Sequence, residues 1–257
     1  MASDLAVTKD GHVALLEMQR PPLNFFDLQL ITDIADALDA IDADPEIRSV
    51  VLAAQGKAFC AGADFSSGEN ELGGQQPPPP VHLYVEATRI FGNKKPIVAA
   101  VHGAAIGGGF GLAMAADFRV TCPEARFSAN FTRLGFHPGF GLTVTLPDAI
   151  GKSNAELMFY TSRRVTGEQA LAMGLASALV PADQVRSAAL ALAREIAECS
   201  PLGLLSTRKT MRGNLAQRVK AATDHELIEQ EWLRKTQDFS EGVRSTAERR
   251  PANFIGA

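Results

Sequence analysis

Apolar and polar residues alternate at the start of the chain and then change to a longer period. Residues 5–8 and 13–18 alternate on either side of the turn pair Asp10-Gly11, which predicts an antiparallel hairpin. After Asp27, whose carboxylate can cap a helix, the apolar residues recur at helical spacing. This second pattern predicts a helix whose apolar positions are Leu30, Ile34, Ala37, Leu38 and Ile41.

Two short, almost wholly apolar runs follow, at residues 49–53 and 97–101. Runs of this kind are typical of parallel strands that are covered on both faces. The second run leads into the glycine triplet 107–109 and then into an apolar helical run at 110–116. The sequence therefore predicts a strand, a tight glycine turn and a buried helix in succession.

The remaining patterns predict a mostly helical second half. Residues 117–121 and 125–128 have the composition of short strands. Helices are predicted at residues 81–92, 142–150, 153–159, 167–173, 182–198, 201–211, 216–235 and 241–249. Residues 66–80, which contain four consecutive prolines, predict a surface loop, either a lid over a site or a plain connection.

The glycine triplet has two interpretations. A turn without side chains lets a ligand contact backbone N–H groups, and the helix that begins there adds partial positive charge. The turn is then suited to an oxygen that is, or becomes, anionic. Alternatively, the glycines allow a helix and a strand to pack closely with no ligand between them.

Familiar glycine motifs do not fit this turn. Gly103 and Gly108 have P-loop spacing, but Gly109-Phe110 stands where a P-loop needs Lys and Ser or Thr. The triplet also lacks the G-x-G-x-x-G spacing of dinucleotide-binding folds, and the chain contains no G-x-S-x-G nucleophile elbow. The remaining interpretation is a turn whose backbone N–H groups polarise a ligand, with no nucleophilic side chain attached to it.

Composition narrows the class of protein. The chain has 257 residues, 46% of them hydrophobic and 21% charged, with a formal net charge of −4, which argues against a nucleic-acid-binding surface. No apolar run is long enough for a membrane span, and no secretory signal is recognisable. Three widely spaced cysteines without metal-ligand spacing favour reduced thiols in a cytoplasmic protein and argue against a zinc site.

A second segment has the same features as the glycine triplet, namely small residues after a predicted buried strand. Residues 55–64 follow the predicted strand 49–53 and carry small residues at 58 and 61–63. Two bare turns after neighbouring parallel strands would lie at the same edge of one sheet. We then expect two backbone N–H groups to converge on one oxygen.

These segments resemble the crotonase superfamily, which includes enoyl-CoA hydratase and isomerase. The resemblance rests on K-A-F-C-A-G-A-D at residues 57–64 and K-P-I-V-A-A-V-H-G-A-A-I-G-G-G at 95–109. It continues through A-R-F-S, L-G-F-H-P-G-F-G, T-G-E-Q-A, M-G-L-A and E-R-R-P-A-N-F over nearly the whole chain. Together these motifs are far more specific than any single glycine motif.

The resemblance implies an α/β fold, a ClpP-like ββα spiral in residues 1–195, with a helical C-terminal trimerisation region in 196–257. It implies an acyl-CoA substrate whose thioester carbonyl is polarised by the N–H groups of Ala63 and Gly108. No tightly bound cofactor is implied, since coenzyme A enters as part of the substrate, near Lys57, Ala61 and Phe254. The expected assembly is a homotrimer or a dimer of trimers.

The sequence departs from the active hydratases of this superfamily at the positions of their glutamates. Matched by motif, the two glutamates that flank a water fall on Gly111 and Phe131, and a further aspartate position of some members falls near Gly139. None of these side chains transfers a proton. Because hydration needs groups that activate water and deliver a proton, we expect weak or absent hydration of crotonyl-CoA.

Other side chains are candidates for proton transfer. His137 lies in a segment that borders the acyl pocket in the family, although a backbone-bonded histidine is the alternative. Further candidates near the loop are Glu69, Glu71, Glu86 and Tyr84, with solvated carboxylates as the alternative for the acids. Asp64 and Asp117 are interpreted as structural.

Three functions stay open on the sequence. The first is an acyl-CoA enzyme of the hydratase or isomerase type whose hydration is in doubt. The second is a hydrolase or C–C lyase that uses His137 or a loop carboxylate. The third is an acyl-CoA-binding protein without turnover.

Overall fold

The computed structural model describes residues 4–63 and 82–257. Its strands are β1 Leu5–Asp10, β2 Val13–Met18, β3 Ser49–Ala54, β4 Ala58–Cys60, β5 Ile97–Val101, β6 Ala104–Ile106, β7 Phe118–Thr121, β8 Arg126–Ser128, β9 Val165–Thr166 and β10 Ala178–Leu179. Its helices are α1 Leu28–Ala43, α2 Leu83–Gly92, α3 Gly108–Ala115, α4 Leu142–Ile150, α5 Lys152–Thr161, α6 Gly167–Ala172, α7 Val185–Ala197, α8 Pro201–Arg212, α9 Leu215–Leu233 and α10 Gln237–Ala247. Two 3-10 turns lie at Thr132–Leu134 and Ala182–Gln184.

The strands of the described residues form two sheets. The larger sheet has the order β1-β2-β3-β5-β7-β10, antiparallel in the β1–β2 hairpin and parallel elsewhere. The smaller sheet has the order β4-β6-β8-β9 and is parallel except at β9. Each of β3, β5 and β7 is followed directly by its counterpart β4, β6 or β8 in the smaller sheet, which gives the chain the expected spiral.

The N-terminal predictions are confirmed. The hairpin pairs Leu5 with Met18 through Asp10 with Val13. Helix α1 begins after Asp27, whose side chain accepts a hydrogen bond from the N–H of Leu30 at 2.7 Å. Its apolar face lies in a continuous core that includes β3 and β5, both buried along their whole length.

Two predictions about the loops between strands were wrong. Residues 55–64 were expected to be a turn, but β4 lies within them. The strand at 97–101 was expected to meet the glycine triplet directly, but β6 intervenes. Both segments, A-F-C at 58–60 and A-A-I at 104–106, are three residues long without a polar position, so they show no alternation that would reveal a strand.

The C-terminal helices pack on the rest of the chain. Helix α9 contacts α2 and α4, and α10 contacts the 3-10 turn at Thr132–Leu134. The predicted boundary between residues 195 and 196 falls inside the last turn of α7. No helix in the described part of the chain has the length and apolar character that a membrane span requires.

Asp117 joins the C-terminal helices to the larger sheet. Its carboxylate accepts hydrogen bonds from the N–H of Ile97 at 2.8 Å, Arg208 Nε at 3.0 Å and Arg212 Nε at 3.0 Å. Burial alone raises the pKa of this carboxyl, but the two arginines and the backbone donor outweigh it, so its pKa lies below the ordinary 3.8. The structural interpretation of Asp117 is confirmed.

Replacing Asp117 with asparagine is expected to lower the free energy of unfolding by about 3–5 kcal/mol, because two arginines lose their buried counter-charge. A group with a lowered pKa stabilises the fold above its unfolded pKa and loses that contribution as pH falls. The wild-type stability therefore falls below about pH 4, more steeply than that of Asp117→Asn. Urea denaturation across pH measures both effects.

The matched control is Asp148→Asn, which breaks the ion pair with Arg218. Both side chains of that pair are nearly half exposed, at 46% and 44%. A loss below about 1 kcal/mol is expected there. Equal losses in the two variants would show that Asp117 is no more important than a surface acid.

Candidate acyl-thioester site

Two loops with bare backbone lie side by side at one edge of the smaller sheet. Strands β4 and β6 are parallel neighbours, with Cys60 paired to Ala105, and each continues into a loop beyond its last residue. A Cβ built on Gly62 would lie 2.9 Å from the carbonyl oxygen of Ile106 and 3.8 Å from the nitrogen of Gly108. The predicted proximity of the two loops is confirmed, although they leave the smaller sheet rather than the larger one.

The backbone N–H groups of Ala63 and Gly108 have no acceptor among the described residues. Their neighbours are engaged: Gly107 N–H donates to Ser128 at 2.9 Å, and Phe110 N–H donates to Gly107 at 3.0 Å. Gly108 is also the first residue of α3, so the partial positive charge of that helix end adds to its donor. The loops thus offer two unused donors.

Both donors border one cavity of about 520 Å³. Ala61 lines it as well, next to Ala63 and Gly108. Six aromatic side chains line most of the rest: Phe25, Phe26, Tyr84, Phe131, Phe136 and Phe140. Among the described lining residues the charged ones are Arg164 and Arg249, and none is acidic. The cavity is suited to an apolar group attached to a polarisable carbonyl.

Aromatic rings fill the space around α3. A Cβ on Gly108 would overlap the ring of Phe26, and a Cβ on Gly111 would lie 2.6 Å from the Cβ of Phe140. Phe140 has a positive φ of 60°, a conformation unusual for a bulky residue. Glycine at 111 is therefore a packing requirement of this chain, and no longer side chain fits there beside Phe140.

The other two positions that the resemblance matches to acidic residues, Phe131 and Gly139, also lack room or polarity for an acid. Phe131 is buried and stacks on Phe136, with ring centroids 6.4 Å apart. A Cβ on Gly139 would overlap the hydroxyl of Tyr84 and lie 2.5 Å from Gln230 Nε2. No carboxylate reaches the cavity from these positions.

Tyr84 is held in place by a buried hydrogen-bond network. Its hydroxyl donates to Gln230 Oε1 at 3.0 Å, and Gln230 Nε2 donates to the carbonyl of His137 at 3.0 Å. Burial, with the nearby Glu226 carboxylate, raises the pKa of Tyr84. The phenol therefore stays protonated and links α2 to α9.

The segment that contains His137 borders the cavity beside Ala63 and Gly108 through Phe136 and Phe140, while His137 itself is not among the described lining residues, and its proposed catalytic role stays a prediction. His137 lines a separate cavity of about 890 Å³ together with Tyr160 and Trp232. Its Nδ1 lies 2.7 Å from the carbonyl oxygen of Pro138. This is the backbone-bonded histidine of the alternative interpretation.

The remaining candidates are dispersed. Glu86 pairs with Arg89 and does not line the cavity. Lys57 is exposed and does not line it either, and Phe254 lies in a neighbouring groove. Asp64, Glu69, Glu71 and the loop 66–80 lie outside the described residues.

Several lining residues had no signal in the sequence. Phe26 and Phe140 reach the glycines of α3 only through the tertiary fold, from segments distant in the chain. Arg164 and Arg249 come from the turns after α5 and α10. The glycine triplet that includes Gly108 indicated close packing as one of its two interpretations, but not which side chains pack there.

The sequence profile of the enoyl-CoA hydratase/isomerase family matches residues 8–257. The chain therefore belongs to that family, the crotonase superfamily, which acts on acyl-CoA thioesters. The resemblance seen in the sequence and the expected fold class are both confirmed.

Individual relatives span nearly the whole chain. A Thermus thermophilus protein assigned provisionally as an enoyl-CoA hydratase is 34% identical over 248 residues, 95% of this chain and 98% of its own. Crotonyl-CoA hydratase of Syntrophomonas wolfei is 30% identical over 263 residues and 98% of each chain. The crystal structure of carnitinyl-CoA hydratase from Mycobacterium avium is 29% identical, with a TM-score of 0.88 over the full length of both chains.

Proposed function

We propose that the protein binds acyl-CoA thioesters with the carbonyl oxygen between the N–H groups of Ala63 and Gly108, and that it does not hydrate crotonyl-CoA. The observation that carries this proposal is the pair of unused donors on a cavity whose other walls are aromatic. Family membership supports the substrate class. The aromatic filling around Gly111, Phe131 and Gly139 supports the absence of hydration.

The two donors have a clear chemical use. Hydrogen bonds to a thioester oxygen strengthen as negative charge develops on it, so they stabilise an enolate more than the bound substrate. In other enzymes one such donor contributes roughly 2.7–4 kcal/mol. Aromatic rings line much of the cavity around them, and an apolar surrounding raises the electrostatic effect of each donor.

A second candidate is a turnover that needs only one proton-transferring group, such as isomerisation, thioester hydrolysis or C–C cleavage. The observation that favours it is the polarising pair itself, because binding alone does not need two donors at a carbonyl. Glu69 or Glu71 would supply the proton transfer in that case. Coenzyme A is part of the substrate, and no separate cofactor is proposed.

The expected setting is a cytoplasmic homotrimer or dimer of trimers. Large apolar side chains on the C-terminal helices are exposed in the single chain, including Leu202 at 78% and Met211 at 81%. Faces of this kind are typical of surfaces that a neighbouring subunit covers. Measurement of mass in solution distinguishes the two assemblies.

Cinnamoyl-CoA tests the binding proposal, because its conjugated thioester absorbs at longer wavelength when the carbonyl is polarised. We expect saturable binding with a shift of the absorbance maximum to longer wavelength. Free cinnamate, which lacks the thioester, is the control and should show no shift. Binding without a shift would contradict the role of the two donors, and absence of binding would contradict the proposal itself.

A further inference from the structure

A groove lined by arginines opens beside the cavity. It has a volume of about 1110 Å³ and shares Arg164, Thr246 and Arg249 with the cavity, so the two spaces are continuous. Arg133 and Arg250 line the groove as well, and no acidic side chain does so among the described residues. In a chain of net charge −4, this is a local concentration of positive charge.

Two of the arginines at the junction have no counter-charge among the residues that the structure describes. Arg250 is paired with Glu241 and Glu248. In the described part of the chain, by contrast, the guanidinium groups of Arg164 and Arg249 form no hydrogen bond or ion pair. Arginines without a partner that border a substrate cavity are available for an anionic ligand.

Arg249 occupies a backbone position that favours glycine. It follows the end of α10 with φ of +55°, and the N–H of Arg250 donates to the carbonyl of Ser245 at 3.0 Å. This is the Schellman arrangement, in which the left-handed residue is usually glycine because other residues are strained there. An arginine at this position costs stability and places a guanidinium at the mouth of the cavity.

We infer that Arg164 and Arg249 bind a carboxylate at the far end of the acyl group, so that the substrate is a dicarboxylic acyl-CoA. This inference rests on the proposed function, which fixes the thioester between Ala63 and Gly108. Six aromatic rings line the cavity that both the donors and the arginines border, and this suits a methylene chain with charge at its end only. A guanidinium binds a carboxylate through two parallel hydrogen bonds, which gives both affinity and orientation.

The phosphates of coenzyme A are the other anionic groups on the ligand. They are separated from the thioester by the long pantetheine arm, whereas the two arginines border the same cavity as the thioester donors. The nearer anion is therefore one carried by the acyl group. The experiment separates these two sources.

Calorimetric titration with adipyl-CoA and hexanoyl-CoA tests the inference, since the two saturated ligands have equal chain length and neither can be hydrated. The wild-type protein is expected to bind adipyl-CoA at least about tenfold more tightly, a difference of about 1.4 kcal/mol. In Arg249→Gly and in Arg164→Gln the ratio of the two affinities is expected to fall close to one. Arg163→Gln is the matched control, because Arg163 is an exposed neighbour that donates to Thr161 and lines neither space, and it should keep the wild-type ratio.

Thermal denaturation of Arg249→Gly separates a ligand role from a structural one. Because glycine is favoured at this position, the melting temperature should equal or exceed that of the wild type while the affinity ratio falls. A lower melting temperature together with an unchanged ratio would show that Arg249 supports the helix end instead.

Other results overturn the inference. A wild-type ratio near one would show that the carboxylate is not bound. Equal losses for both ligands in the arginine variants would assign the arginines to the phosphates of coenzyme A. Failure of the wild type to bind even hexanoyl-CoA would contradict the proposed function, which distinguishes that failure from failure of this inference alone.

Discussion

Purified protein is expected to hydrate crotonyl-CoA at least about 10⁴-fold more slowly than a relative that carries both glutamates, because each missing proton-transferring group is worth about 10²–10⁴ in rate. The motif match puts Phe131 at one expected glutamate position and Gly111 at the other, and Phe140 fills the space beside Gly111. The loss of the enoyl-thioester absorbance measures the rate. Crotonyl-CoA hydratase assayed in parallel is the positive control.

A binding measurement on the same preparation shows whether an absence of hydration could be due to a damaged site. If crotonyl-CoA binds while its absorbance stays constant, the site is intact and lacks only the proton transfer. Turnover at a rate ordinary for an enzyme would mean that residues outside the described part of the chain both accept a proton from water and deliver one to the α-carbon. That result would contradict the proposal that this protein does not hydrate crotonyl-CoA.

The second large effect is expected from Gly109→Ala. A Cβ there would overlap the carbonyl oxygen of Cys60 and lie 2.7 Å from its carbonyl carbon, so α3 and β4 would have to separate. Helix propensity favours alanine over glycine by about 1 kcal/mol, but overpacking against backbone costs about 3 kcal/mol. We expect a net loss near 2 kcal/mol in the free energy of unfolding, and loss of the cinnamoyl-CoA shift.

Gly92→Ala is the matched control for this substitution. Gly92 is also helical, at the end of α2, and a Cβ built on it meets nothing within 4 Å. Urea denaturation should show equal or slightly greater stability than the wild type. If Gly109→Ala kept both its stability and the spectral shift, the close contact between α3 and β4 would not control the position of the donors.

Most of the fold could be predicted from the sequence, because long amphipathic segments and strong turn residues dominate it. Helix α1 with its Asp27 cap and the hairpin at Asp10-Gly11 both depend on local chemistry, and both were confirmed. Strands β4 and β6 were missed because pairing in the smaller sheet, rather than any local preference, makes these three-residue segments extended. Elements of that size are defined by tertiary contacts.

The candidate site likewise contains features that local sequence predicts and features that depend on tertiary contacts. The two bare turns were predicted from their small residues, which are local, and the family resemblance singled out Ala63 and Gly108 within them; both residues line one cavity. The direction of the His137 side chain could not be predicted, because it depends on the path of residues 137–140, where Gln230 of α9 donates hydrogen bonds to the carbonyls of His137 and Pro138. The roles of Ala63, Gly108, Lys57, Ala61 and Phe254 towards an acyl-CoA stay predictions.

The fit between Gly111 and Phe140 also constrains how this chain can change over evolutionary time. A mutation that introduced an acidic side chain at 111 would be rejected by the ring opposite, and a mutation that removed the ring first would leave a hole in the core. Each change is harmful until the other is present. An acidic side chain at 111 therefore requires a compensating change at Phe140, so two coordinated substitutions are needed rather than one.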